Sequence, residues 1–167
     1  MKKIIFLDHD GVICLPSGGS WGSRFRKIKR WELEGGEGTP PPNIRFDDLN
    51  KFAVNILNDI IIKTDAELVC SSDWRLYATL DEMKIVYEEG GIIKGPIDFT
   101  PVLQTTTKNS NIRVDEINLW LSNHPEVEQW VAIDDLDLSE LDNFVKCRER
   151  EGLKQCNISS KILKFLV

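Results

Sequence analysis

No stretch of the sequence approaches the ~18 consecutive apolar residues that a membrane-spanning helix needs, so no membrane association is expected. Lys2-Lys3 and the apolar run behind them imitate the start of a secretory signal. Asp8 and Asp10 cut that run before a hydrophobic region can form. Cysteine is sparse and unclustered: Cys14, Cys70, Cys147 and Cys156 make no Cys-x-x-Cys pair. That spacing argues against a zinc site or a disulfide frame, and reads as free thiols in a reducing cytosol, so a cytoplasmic location is expected. An excess of positive charge is also missing. The formal net charge of −6 argues against a general nucleic-acid coat protein, while leaving room for a local basic patch.

What is present is ordinary in bulk. With 41% hydrophobic and 29% charged residues, the 167-residue chain has the composition of a globular protein and the length of one domain with a real core. The informative part is the beginning. Ile4 to Leu7 reads as a buried strand and stops abruptly at Asp8-His9-Asp10-Gly11. Two carboxylates one residue apart, just past a buried strand, lie where ligands bind in open α/β sheets. Gly11 permits a tight turn there. This chemistry suits Mg²⁺, which takes oxygen ligands and few of them from protein, beside a carboxylate able to attack a phosphoryl group. Alone, the tetrapeptide reads equally as a polar turn after an edge strand.

The stretch from about residue 14 to 45 carries Gly and Pro at both ends, in Pro16-Ser-Gly-Gly-Ser20 and Glu34 to Pro42. It is predicted as a long loop or flap with little regular structure. Its centre, Arg24-Phe-Arg26-Lys-Ile-Lys-Arg30, is basic and bracketed by Trp21 and Trp31. Such a segment is either a lid bringing cations and aromatic faces to an anionic substrate, on which bases can stack, or a solvated flap. Beyond it, Asp47 or Asp48 is the predicted cap of a helix running to about Ile62 on apolar residues at helical spacing. Ala66 to Cys70 is a second strand, ending in Ser71-Ser72-Asp73-Trp74-Arg75. A hydroxyl at that tip can donate to a phosphate oxygen, Ser72 or Asp73 can cap the next helix, and Arg75 offers a planar fork suited to phosphate.

Leu76 to Glu89 is predicted helical and closed by Gly90-Gly91, with Ile92-Ile93 as a short strand and residues 95–111 as loop. A helix follows from Asn111 through Leu121 and stops at His124-Pro125, where His124 reads as a surface residue rather than a ligand. Gln129 to Ile133 is the third main strand and ends in Asp134-Asp135, two acids that repel unless a cation lies between them. Asn143 to Cys147 reads as a short strand and Ile158 to Leu166 as an amphipathic helix. Helical segments separate the strands, so the connections are crossovers of the kind that build a parallel sheet. The fold class is therefore α/β, a Rossmann-like three-layer arrangement with a mostly parallel central sheet. In it Asp8/Asp10, Ser71 and Asp134/Asp135 share one edge.

Phe6-Leu-Asp-His-Asp-Gly-Val12, Leu68-Val-Cys-Ser71 and Val131-Ala-Ile-Asp-Asp135 resemble the motifs of the haloacid dehalogenase-like (HAD) phosphotransferases. Ser71-Ser-Asp-Trp-Arg75, Arg113 to Leu121 and Ile133-Asp-Asp-Leu136 are similar to the HAD domain of Swiss Army knife RNA-repair proteins. The resemblance runs from Lys2 to about Leu166 and is weakest across residues 14–45. It implies a Mg²⁺-dependent phosphohydrolase. Asp8 would attack phosphorus and carry the aspartyl-phosphate, and Asp10 would act as acid, then base, with its main-chain carbonyl toward the metal. Ser71 would hold a phosphoryl oxygen. Asp134 and Asp135 would complete the metal site, with Asp135 as the direct ligand and Asp134 behind it. The motif that supplies a cation matches most loosely; Arg113 is preferred and Lys108 is its rival.

Ser72, Arg75, Lys108 and Arg26 are the candidate substrate-binding residues. Neither interval between motifs leaves room for a large cap domain, so a nearly capless enzyme with an open crevice is predicted. Such a crevice admits large substrates, and the basic flap could contact an RNA or DNA end. A nucleotide or polynucleotide phosphate end is the leading substrate. A phosphatase of small metabolites or proteins, and a catalytically silent HAD-like binding module, are the alternatives.

Overall fold

A computed structural model describes residues 1–104 and 111–167. Five strands form one sheet in the order β3-β2-β1-β4-β5. They are β1 (Lys2–Leu7), β2 (Glu67–Cys70), β3 (Pro96–Phe99), β4 (Val127–Asp134) and β5 (Phe144–Lys146). Every neighbouring pair is parallel. The chain lays β2 and β3 outward on one side of β1, then returns to start β4 on the other side. That reversal is a topological switch point, and the crevice beyond the strand ends there is where open α/β sheets bind ligands.

The order follows from the sequence. β1 is apolar on both faces, which suits a central parallel strand. Ile5 and Leu7 enter a core shared with the helices α3 (Lys51–Thr64), α4 (Leu80–Glu89) and α6 (Ile158–Leu166). Ile4 and Phe6 point to the opposite face and meet α5 (Ile112–Ser122) through Val114, Ile117 and Trp120. Alternation along the strand thus produces the three layers. Phe6 lies edge-on to Trp120 and Trp130, with centroids 5.3 and 5.8 Å away.

The segment at 14–45 differs from its expected loop. It holds α1 (Ser23–Leu33) and the single turn α2 (Pro42–Arg45). The support for α1 comes from far along the chain. Asp47, expected to cap the following helix, accepts from the Arg24 amide at 2.9 Å and so satisfies an amide of the first turn of α1. Ser23 Oγ accepts from the Asp48 amide at 2.7 Å, and Lys27 pairs with Asp48 at 2.8 Å. Asn50 caps α3 instead, accepting from the Phe52 and Ala53 amides.

The predicted helix 76–89 is also divided. A 3-10 segment, Asp73–Tyr77, precedes α4, whose start is a reciprocal capping box between Thr79 and Glu82. Ile92-Ile93 is not a strand; β3 lies further on, inside the expected loop. Pro96 opens it at the sheet edge, where a missing N–H costs no ladder bond. All four cysteines are free, three of them buried. Among the described residues, no helix is long and apolar enough to cross a membrane.

Candidate active site

Hydrogen bonding continues one residue beyond the strands and fixes their tips side by side. The Ser71 amide donates to Leu7 O (3.2 Å) and the Asp8 amide to Ile133 O (3.1 Å). Beside them, the Thr100 amide donates to Cys70 O (3.1 Å) and the Cys147 amide to Asp134 O (2.8 Å). Asp8 is therefore flanked by Ser71 on one side and Asp134 on the other. Carboxylate oxygens of Asp8, Asp134 and Asp135 all lie within 4.8 Å of one another. Gly11 makes room for the third of them. Its φ is +75°, and a Cβ built there would stand 2.6 Å from Asp135 Oδ2. Both the left-handed backbone and the close carboxylate require glycine.

Arg113, on the first turn of α5, reaches this cluster. Its Nη1 lies 3.1 Å from Asp8 Oδ1 and 2.8 Å from Asp134 Oδ2, and its Nη2 lies 3.1 Å from Asp73 Oδ1. Burial works to lower the pKa of Arg113, but Asp8 and Asp134 outweigh it and hold it above the ordinary arginine value. Lys108 lies outside the described residues.

Among the described residues, one guanidinium serves the four acids Asp8, Asp73, Asp134 and Asp135, and negative charge is in excess. The excess is visible in the acids. Burial, then Asp134, raises Asp8 well above the ordinary carboxylate value, and Arg113 only partly offsets them. Burial, then Asp134, raises Asp135 as well. An all-oxygen set with unbalanced charge fits a hard divalent cation. The side chain of Asp10 is outside the three-acid cluster. Its Oδ2 accepts from Trp74 Nε1 at 3.0 Å.

The floor of the site is buried. His9 is wholly buried, and its Nε2 lies 2.7 Å from the Tyr87 hydroxyl. Burial, with a smaller push from Arg113, lowers His9 to about 3, so the ring is neutral at physiological pH. Burial, aided by Asp134 and Asp135, pushes the Cys147 thiol up to about 12, so it stays protonated behind the acids. Ser71 and Ser72 are buried at the tip of β2. Ser72 Oγ is a local cap, accepting from the Trp74 amide at 3.3 Å.

Arg75 is corrected. Its fork does not wait for phosphate but is engaged inside the protein. Nη2 pairs with Glu116 at 2.6 Å, with both side chains under 5% exposed (2% and 4%). The remaining donors reach the carbonyls of Ser71, Ser72, Thr100 and Pro101. The planar fork that suits phosphate also suits carbonyls and carboxylate, and here it laces together the loops after β2 and β3. Arg75→Ala is expected to destabilise the protein by about 3–5 kcal/mol, because it leaves Glu116 charged and buried. Thermal or denaturant unfolding measures this.

Arg26 sits on the exposed side of α1, where its Nη2 donates to Gly19 O at 3.1 Å. No described contact brings it to the strand tips. His124 stacks on Trp120 (3.6 Å between centroids) and lies 2.7 Å from the Trp120 carbonyl, a structural placement.

Sequence reading missed four partners of the site residues: Trp74, Asp73, Glu116 and the indole of Trp21. Trp21 Nε1 donates to Cys14 O at 3.1 Å, the same oxygen that accepts from the Gly11 amide at 2.9 Å. The flap is thereby anchored one hydrogen bond from the Asp10-Gly11 turn.

A parallel sheet whose switch point carries Asp8, Asp134, Asp135 and an arginine is the architecture of a HAD-type hydrolase. The family model described as "HAD domain in Swiss Army Knife RNA repair proteins" matches residues 4–158, and the chain belongs to that family. No curated protein and no solved structure matches the chain.

Proposed function

We propose that the protein is a Mg²⁺-dependent phosphohydrolase that works through an aspartyl-phosphate on Asp8 and acts on nucleotide or polynucleotide phosphate ends. The observation that carries this reading is the convergence of Asp8, Asp134 and Asp135 within 4.8 Å beside Arg113. Asp8, Asp134 and Asp135, with the Asp10 carbonyl, are the groups that would hold the ion. Its contribution is positive charge against the phosphoryl oxygens and against the excess of acids.

Asp8 attacks phosphorus with one carboxylate oxygen as the ester P–O bond breaks. Asp10 delivers a proton to the departing oxygen. Water then attacks the aspartyl-phosphate and gives its proton to Asp10; the P–O bond to Asp8 breaks and inorganic phosphate leaves. Arg113 and the Ser71 hydroxyl hold the equatorial oxygens, since a metaphosphate-like transition state mainly requires positioning and charge. Asp73 steadies Arg113 from the solvent side.

The substrate class rests on the flap. Trp21 is 41% exposed, and its indole N–H is fixed to the Cys14 carbonyl that also accepts from the Gly11 amide, which supports a role for the ring near the crevice. Behind it, α1 carries Arg26, Lys29 and Arg30 on exposed positions. A fixed aromatic face with cations alongside suits a base attached to a phosphate. The test compares a 3′- and a 5′-phosphorylated oligonucleotide with mononucleotides, sugar phosphates and a phosphopeptide, with Mg²⁺ and with chelator. An oligonucleotide preference in kcat/KM is expected. Trp21→Ala is expected to reduce that preference by about 5- to 150-fold, in keeping with about 1–3 kcal/mol for stacking one base. Equal use of sugar phosphates would point to a small-metabolite phosphatase. No turnover of any phosphoester would leave a binding module.

A further inference from the structure

We infer that Trp74 is a positioning residue for Asp10: its indole N–H fixes the carboxylate in the orientation from which protons pass to the leaving oxygen and from water. This inference rests on the aspartyl-phosphate reading and deepens it. The contact joins residues 64 positions apart, Trp74 Nε1 donating to Asp10 Oδ2 at 3.0 Å.

The two partners differ in setting. Asp10 is exposed on a tight turn, where an unsupported carboxylate samples several rotamers. Trp74 is only 6% exposed. Its ring stacks on Phe46 (4.9 Å between centroids, planes 20° apart) and meets the edge of His9 (4.7 Å, 72°). His9 is in turn held by Tyr87. The indole therefore has a fixed direction, and it transmits that direction to the Asp10 carboxylate, which the Cys14 thiol also meets.

The polarity of the contact matters too. An indole N–H donates and cannot accept. It occupies Oδ2 as an acceptor and leaves Oδ1 free of the indole. One oxygen is assigned to orientation and the other to transfer. Proton transfer in a catalytic step needs heavy atoms at hydrogen-bond distance in a defined geometry, and small misplacements are costly.

The backbone around Trp74 supports the same conclusion. Trp74 lies three residues after Ser71, in the segment capped by Ser72 Oγ. Arg75 ties the carbonyls of Ser71 and Ser72 to the buried Glu116. One braced segment thus supplies both the phosphate-binding hydroxyl and the donor that orients the acid. A core tryptophan also takes a partner for its N–H, so kinetics with the donor removed separate orientation of Asp10 from packing.

The test removes the donor and keeps the ring. Trp74→Phe does so by substitution, and 3-benzothienylalanine at position 74 does so with nearly unchanged shape should phenylalanine loosen the core. The readout is kcat/KM with Mg²⁺ for an aryl phosphate and an alkyl phosphate, since kcat/KM covers attack and loss of the leaving group. An aryl oxide leaves with little help from an acid, whereas an alkoxide requires a proton. The expected result is a loss of about 10-fold or more on the alkyl ester, part of the 10²–10⁴ that general acid catalysis contributes, and a much smaller loss on the aryl ester. In an Asp10→Asn background the same change is expected to add nothing, because coupled residues are not additive. Equal losses on both esters, or a further loss on top of Asp10→Asn, would overturn the inference and leave Trp74 a packing residue. A wild type that hydrolyses neither ester would instead overturn the phosphatase reading, and the inference with it.

Discussion

Asp8→Asn is expected to lower phosphatase turnover by about 10⁴-fold or more, the scale seen when a catalytic nucleophile is removed, and at the same time to stabilise the metal-free protein. The first effect follows from chemistry: an amide does not form the acyl-phosphate. The second follows from electrostatics. Burial and Asp134 raise the Asp8 carboxyl well above its ordinary value of 3.8, so the folded protein holds a proton that the unfolded chain releases. As pH rises above about 3.8, the unfolded state gains stability relative to the folded one, and the wild type weakens. Asparagine does not titrate. The gap in melting temperature between Asp8→Asn and the metal-free wild type should therefore widen with rising pH. Comparing the two proteins cancels the opposite contribution of His9, whose lowered value of about 3 costs stability as pH falls below its ordinary 6.5. Added Mg²⁺ should narrow the gap, since a ligand that binds only the folded wild-type site stabilises it by mass action. Melting scans across pH, with and without Mg²⁺, measure this directly. A gap that is constant in pH would contradict the charge excess assigned to the site.

Arg113→Met is expected to lower kcat by about 10²–10³, the usual cost of removing a fixed donor aimed at developing charge. The same guanidinium meets Asp8, Asp134 and Asp73. A lysine is one point charge on a flexible stem and cannot meet all three at once. Arg113→Lys should therefore fall between wild type and methionine. Steady-state kinetics on an aryl phosphate decide the matter. Asp73→Asn should cost less than either, because Asp73 is exposed and only steadies the arginine. If Lys108→Ala cost more than Arg113→Met, the cation of the site would be misassigned.

How far the sequence revealed this site depended on whether each signal was local. The tip of β1 was legible because an apolar run and its terminating acids are consecutive, and the same holds for Ile133-Asp134-Asp135. Convergence of those tips followed from parallel strands, since crossovers place all strand ends of one kind on one edge. The flap was misread because the residues that support α1 lie elsewhere: its amides and side chains are met by Asp47 and Asp48. The break before α4 had a local signal that went unused, Thr79-Leu-Asp-Glu82, a capping-box pattern. Arg75 was misassigned because donor geometry alone does not distinguish phosphate from a carboxylate and carbonyls. Trp74 and Glu116 could not be found at all from spacing. Their partners lie 64 and 41 positions away, and an indole or a glutamate inside a helical pattern carries no mark of such a contact.

A structure determined with Mg²⁺ and beryllofluoride, a mimic of the phosphoryl group, tests the central claim most directly. The expected result is beryllium bonded to the Asp8 carboxylate, its fluorines against Arg113 and Ser71, and the ion between Asp8 and Asp135. An adduct on another residue, or an ion bound away from Asp8, would contradict it.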